Sequence, residues 1–456
     1  MSAIPVIAIF DVGKTNKKLF LFDENYRIVY ERSAKFIETV DEDGDACENL
    51  ESLQLSVFDS LNEIAKLNQF KVKAVNFSAY GASFVYVDAD GKALTPLYNY
   101  LKIYPEELSN YLYNNHGGRE AFSVQTASPI LGSLNSGLQL FRLKKEQPEI
   151  FERLKYALHL PQYLSFLITG KAYSDLTSIG CHTALWDFTK DDYHDWVKQE
   201  GIAEKLPPIV PADKTSPPDR DYKVGIGLHD SSAALIPYLV SFNEPFVLIS
   251  TGTWCISLNP FNQTPLTAKQ LQMDCLCYLQ YQGKPVKASR IFSGHEHEQQ
   301  VKRIAAHFDI DAIKFRNIDF DPKVITHLKK THPQPVNNGI GESAFISRDL
   351  SEFKNDTEAY HQLILDIIQL QVTSTTLVLN GTLVKRIFVD GGFGKNSIYM
   401  NLLALSFPGL EIFAASMAQA TAVGAALALH NQWNSKPVPN DIIELKYYSS
   451  NQTISI

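Results

Sequence analysis

The sequence predicts an α/β protein made of two successive units, and three observations carry that reading. Apolar runs of strand type alternate with helical periodicity along all 456 residues. Three of the runs end in glycine-bearing turns: residues 6–10 before Asp11-Val-Gly13-Lys14-Thr15-Asn16, residues 246–249 before Ser250-Thr-Gly252-Thr253, and residues 386–389 before Asp390-Gly391-Gly392-Phe-Gly394-Lys395-Asn396. A chain of this length, 45% hydrophobic, is also too long for one core. The plan of strand followed by glycine turn restarts just after Phe242, which suggests pseudo-duplication and a division into 1–242 and 243–456.

The first unit opens with strands over residues 6–10, 18–22 and 26–31, the last two joined by the hairpin residues Asp23-Glu-Asn25. Leu53, Val57, Leu61 and Ile64 then recur at helical spacing, predicting a helix over 50–67, with a strand over 73–76 after it. Residues 84–88 form a strand ending in an Asp-Gly turn at Gly91. Residues 136–170 are helical in pattern and stop at Thr169-Gly170, a C-terminal cap signal. Five prolines between Pro207 and Pro218 mark a loop. The second unit continues with strands over 246–250, 276–280 and 284–288 and helices over 296–308 and 360–379. A strand then leads into the Asp390 turn, followed by helices over 397–406 and 418–430.

A formal charge of −8 and a pI near 5.9 argue against nucleic acid or an anionic membrane as partner, since either calls for a basic excess. The N-terminal apolar stretch is short and lacks a basic leader, and no segment approaches the ~20 apolar residues that cross a bilayer. A cytoplasmic protein is expected. The odd, scattered set of five cysteines implies no disulfide framework, and Cys275-Leu-Cys277 is read as two buried thiols on one strand face rather than a metal knuckle.

Phosphoryl transfer needs a carboxylate for the magnesium shell, N–H donors for phosphate oxygens and a base for the attacking hydroxyl. Asp11 ends a strand and precedes a tight turn offering N–H groups, Lys14, Thr15 and Asn16; an ordinary Asx-turn is the alternative. Asp230 lies in Gly225-Ile-Gly227-Leu-His229-Asp230-Ser-Ser-Ala-Ala234, where helix capping would explain it equally well. The small residues after it leave room for a ligand. Gly252 and Thr253 offer further phosphate donors, and the Gly391-Gly392 turn offers backbone to a base or ribose. Walker A, G-x-G-x-x-G and H-E-x-x-H patterns are absent.

In that order, the segments Asp11-Val-Gly-Lys-Thr-Asn-Lys-Lys18, Gly227-Leu-His-Asp-Ser-Ser-Ala-Ala234, Ser250-Thr-Gly-Thr-Trp254 and Val389-Asp-Gly-Gly-Phe-Gly-Lys-Asn396 resemble the FGGY carbohydrate kinases, and look most like the rhamnulokinase and L-fuculokinase branch. The resemblance covers nearly the whole chain. It implies two ribonuclease-H-like domains of the actin, hexokinase and heat-shock ATPase type, with ATP and Mg²⁺ bound between them and a ketose or deoxy-ketose such as L-rhamnulose or L-fuculose as substrate. It implies Asp230 as general base and Asp11 as magnesium ligand. Gly13, Lys14, Thr15, Asn16, Gly252 and Thr253 would surround the phosphates, and Gly391, Gly392 and Asn396 the adenosine. Tyr80, Gly81, Ser83 and His229 would touch the sugar. A homodimer is compatible with it; no nucleic acid or membrane partner is implied.

The sequence departs from the family pattern at Lys14, at Lys102, at Gln162 and at Gln419, so the sugar-selecting positions have drifted while the phosphate positions are retained. Two alternatives stay open: a catalytically silent nucleotide- or sugar-binding regulator of the same fold, and a kinase for a polyol or other non-ketose substrate.

Overall fold

The computed structural model describes residues 3–14, 16–35, 38–216, 221–333 and 341–449. Two seven-stranded sheets organise the chain. In the first, strand Ile4–Val12 lies between Lys17–Asp23, antiparallel, and Phe70–Ala79, parallel. Ile28–Ala34 extends the hairpin side, and Lys223–Gly225 and Thr215–Ser216 extend the other. The second sheet repeats this plan. Phe246–Thr251 has Cys255–Asn259 antiparallel on one side and Arg386–Gly391 parallel on the other, then Glu411–Ser416 parallel and Glu444–Tyr448 antiparallel beyond it. Its hairpin side is longer by one strand, running through Pro285–Ile291 to Cys275–Leu279. The same pairing order in both sheets is what the restart after Phe242 anticipated.

The central strands are near-continuous apolar runs because helices cover both faces, so burial leaves no polar alternation to read. Ile7 and Ile9 face one core, while Val6, Ala8, Phe10 and Val12 face another that includes Leu53, Val57, Leu61 and Ile64 of helix Leu50–Ala65. Asn49 caps that helix by accepting from the Ser52 N–H at 2.9 Å.

Residues 136–170 depart from the helical expectation. Helices Ser136–Glu146, Pro148–Arg153 and Leu160–Thr169 are interrupted by strand Tyr156–His159, which pairs with Phe84–Val87. The last helix does stop at Gly170, with φ +63. Helix Asp356–Leu379 corrects the membrane reading: by length and composition it is apolar enough to cross a bilayer. It is the central helix of the second core, where Tyr360, Leu363, Ile364, Ile367 and Leu370 are buried, and 67% of its most apolar stretch is covered by protein. All five cysteines are buried and unpaired, Cys275 and Cys277 among them.

The two units interlock through the closing helix. Ala420–Ala428 packs on helix Asp230–Ser241 so closely that a Cβ on Gly424 would come within 1.8 Å of the Ala233 carbonyl oxygen. The small residues after Asp230 therefore serve helix contact, where the sequence suggested space for a ligand. Asn76 Nδ2 also donates to the Ala425 carbonyl at 2.9 Å, fixing the same helix to the first sheet.

Candidate active site

Two carboxylates lie at the ends of elements that the first sheet aligns. Asp11 ends the central strand, with Ser78 opposite it in register on the parallel neighbour. Leu228–His229 pairs with Ser78 and Ala79, so Asp230 starts its helix at the same edge. Asp230 occupies the first helical position, with His229 as the cap residue, so capping by its own side chain does not account for it. Burial pushes Asp11 up to about 6. The hydrogen bond from Thr421 opposes that rise, while the charge of Asp230 adds to it. Asp230 is likewise pushed up to about 6 by burial, against hydrogen bonds from Ser231, whose N–H lies 2.6 Å from Oδ1. Two carboxylates raised toward neutrality at the same end of neighbouring parallel strands can divide cation binding from proton acceptance.

The turn after Asp11 is tight, with the Gly13 N–H donating to the Asn16 carbonyl at 2.9 Å. Asn16 is exposed, and Thr15 lies outside the described residues. Lys14 pairs with Glu38 at 3.1 Å, so its ammonium is held by the protein's own carboxylate. Lys17, which the motif leaves without a role of its own, is buried against Glu48 at 2.5 Å and also donates to the Lys14 carbonyl.

Gly252 and Thr253 stand exposed on the second turn, closed by the Gly252 N–H to the Trp254 carbonyl at 2.9 Å. This turn is welded to the Asp390 turn by Thr251. Its Oγ1 donates to the Asp390 carbonyl at 2.6 Å and accepts from the Phe393 N–H at 3.1 Å. Gly391, at φ +94, lies where a Cβ would meet the Thr251 carbonyl at 1.9 Å, so glycine is required. Gly392 and Asn396 line a cavity of about 580 Å³ with His297, Phe315, Tyr360 and Lys395. Gly391 is outside that lining and works in the turn. Asn396 caps helix Ser397–Ser406 through the Tyr399 N–H and donates to Tyr360 Oη at 2.7 Å.

At the positions expected to touch a sugar, the Tyr80 hydroxyl donates to Glu48 at 3.3 Å, and its ring lies 5.8 Å from that of Tyr100. Gly81 presses on His229: a Cβ there would be 2.2 Å from Cδ2 of the imidazole. His229 Nε2 lies 3.7 Å from Asp230 Oδ1. Ser83 faces inward and donates to the Tyr98 carbonyl at 3.2 Å. Gln162 donates to the Gly227 carbonyl at 2.9 Å, holding the approach to Asp230. Lys102 is clamped by Asp41 at 2.5 Å and Asp43 at 2.7 Å. Gln419, at φ +58, turns the chain into the closing helix without a side-chain capping bond.

The description of the FGGY family of carbohydrate kinases, N-terminal domain, matches residues 6–218, and that of carbohydrate kinase FGGY, C-terminal domain, matches residues 243–437. The chain belongs to the FGGY carbohydrate kinase family. Among curated relatives, a rhamnulokinase from Halalkalibacterium halodurans is 22% identical over 280 residues, 54% of each chain. One from Mannheimia succiniciproducens is 22% identical over 271 residues, 55% of this chain and 52% of that one. These alignments span about half the length of the curated relatives. A crystallised carbohydrate kinase from Novosphingobium aromaticivorans superposes with a TM-score of 0.81 at 24% identity, covering 98% of this chain and 94% of that one. A xylulose kinase from Lactobacillus acidophilus gives 0.77 at 18%, with the same coverage. These likenesses establish the two-domain FGGY fold. Thr251 and Lys17, which lie inside the quoted motifs but were given no role of their own, and Thr421 join the site through contacts distant in the chain.

Proposed function

We propose that this FGGY protein transfers the γ-phosphoryl group of ATP to a hydroxyl of a ketose or deoxy-ketose such as L-rhamnulose or L-fuculose. The observation that carries this reading is the pair Asp11 and Asp230, both pushed up to about 6 by burial, with the charge of Asp230 adding to the rise at Asp11, at the same end of neighbouring parallel strands. Asp230 takes the proton from the attacking sugar hydroxyl, a role suited to a carboxylate tuned toward neutrality. Asp11 is a hard oxygen donor of the kind Mg²⁺ selects. Mg²⁺, when bound, neutralises charge on the phosphate oxygens. Gly13, Asn16, Gly252 and Thr253 supply phosphate donors, the cavity at Gly392 and Asn396 receives the adenosine, and Tyr80, Gly81 and His229 shape the sugar side.

In this reading residues 1–242 carry the sugar and the base, and residues 243–456 carry the nucleotide. Unpaired cysteines suit a reducing, cytoplasmic setting, and a homodimer is the assembly to look for by sedimentation. The rhamnulokinase relatives support the choice of ketose. Coupled ADP release with ATP, Mg²⁺ and a panel of L-rhamnulose, L-fuculose, D- and L-xylulose, gluconate and glycerol tests it. Turnover on a ketose supports the proposal. Turnover confined to glycerol or gluconate replaces the substrate, and ATP binding without turnover on any member favours a silent regulator.

A further inference from the structure

Beside Asp230 the described residues gather one thiol and two imidazoles. Cys181 Sγ and one ring nitrogen from each of His182 and His229 all lie within 4.8 Å of one another. Cys181 and His229 are 1% and 5% exposed. Nδ1 of His182 and Nδ1 of His229 are both buried without a hydrogen-bond partner. A buried polar atom left unmatched is costly, and two of them on imidazoles clustered with a thiol call for a ligand.

The backbone holds the two imidazoles in place. His182 adopts φ +41, a left-handed conformation unfavourable to a residue with a Cβ, and its carbonyl accepts from Asn135 Nδ2 at 2.6 Å. The His229 N–H donates to Thr177 Oγ1 at 3.0 Å. Gly81 lies against the Cδ2 and Nε2 edge of the His229 ring, leaving Nδ1 on the opposite edge.

We propose that Cys181, His182 and His229 form a binding site for a borderline-soft divalent cation of the zinc class, separate from the magnesium that accompanies ATP. One sulfur and two nitrogens suit zinc and disfavour magnesium, which selects oxygen. Three protein ligands leave a further position for water or a substrate oxygen. Cys181 enters as a thiol, and its proton passes to solvent as the sulfur–metal bond forms. Asp230, 3.7 Å from His229 Nε2, stands where an outer carboxylate orients a ligating histidine. An ion here would fix the His229 ring next to the proposed base.

Binding of Co²⁺ to the full-length, chelator-treated protein, without sugar or nucleotide, tests the site independently of the kinase reading. One equivalent should produce a thiolate-to-cobalt charge-transfer band that Zn²⁺ displaces and Mg²⁺ does not. Cys181→Ser should abolish the band while keeping the melting temperature of the apo protein. His182→Asn should retain the band and weaken binding at least about tenfold. A wild-type protein without the band, a band surviving in Cys181→Ser, or an unchanged affinity in His182→Asn would overturn the proposal. The last readout decides the matter even where Cys181→Ser does not fold.

Discussion

Thr421 Oγ1 donates to Asp11 Oδ2 at 2.9 Å, so the closing helix of the second unit holds the candidate magnesium carboxylate at the end of the first strand. That bond opposes the burial that raises Asp11. Thr421→Val keeps the branched shape and deletes the donor. The Asp11 carboxyl should then hold its proton to a higher pH, moving the acid limb of kcat/KM for MgATP upward, with a stability loss of about 1 kcal/mol. An unmoved acid limb would remove Thr421 from the site.

Asp11 and Asp230 each sit at about 6, raised by burial, and the charge of Asp230 adds to the rise at Asp11. A base must be deprotonated to accept a proton. For the proposed reaction, kcat/KM for the sugar should therefore climb with pH through about 6 and level off above about 7. Asp230→Asn should lower kcat by about 10²–10⁴-fold with little change in melting temperature. A flat profile across that range, or near wild-type turnover in the variant, would count against Asp230 as the base.

What the sequence revealed of this architecture is what local chemistry encodes. Strands Ile4–Val12 and Phe246–Thr251 announce themselves as apolar runs closed by glycine turns, and Asp11 and Asp230 are visible because a strand end and a helix start are local events. Strand Tyr156–His159 was hidden. It is short and almost wholly buried, so it carries no alternation, and only its distant partner Phe84–Val87 makes it a strand. Long-range pairing also decides Lys14, held by Glu38, and Ser83, turned to the Tyr98 carbonyl. The weld of Thr251 to the Asp390 turn has no signature in spacing at all, because it joins segments brought together only by the parallel pairing of two strands.

Asp175 is buried, and its carboxyl is pushed up to about 7 by that burial, against hydrogen bonds from Thr177 and neighbouring backbone. It accepts from the Thr177 N–H at 2.8 Å, and Thr177 in turn holds the His229 backbone. An unfolded aspartate titrates near 3.9. Between about pH 4 and 7 the folded protein therefore keeps a proton that the unfolded chain has released. This contribution to stability is full below about pH 4 and is lost as pH rises through about 7. Asp175→Asn, which keeps the side-chain acceptor, should flatten that part of the pH dependence of the melting temperature. Identical slopes in wild type and variant would refute the assignment.

Gly81 and His229 offer a test of packing against chemistry. A Cβ at residue 81 would sit 2.2 Å from Cδ2 and 2.6 Å from Nε2 of the imidazole, too close for either group to stay. The His229 backbone is tied to Thr177, so the ring must swing, and with it the nitrogen nearest Asp230. Gly81→Ala should cost about 1–3 kcal/mol through overpacking and raise KM for the sugar. His229→Ala removes the obstructing ring, so the double variant should be more stable than the two single losses add up to, a coupling that marks direct contact. Sugar KM should stay high in the double variant, because the imidazole is gone while the clash is relieved. Simple additivity in melting temperature would show that the two residues do not meet, and recovery of KM in the double variant would show that His229 is packing and not a contact for the sugar.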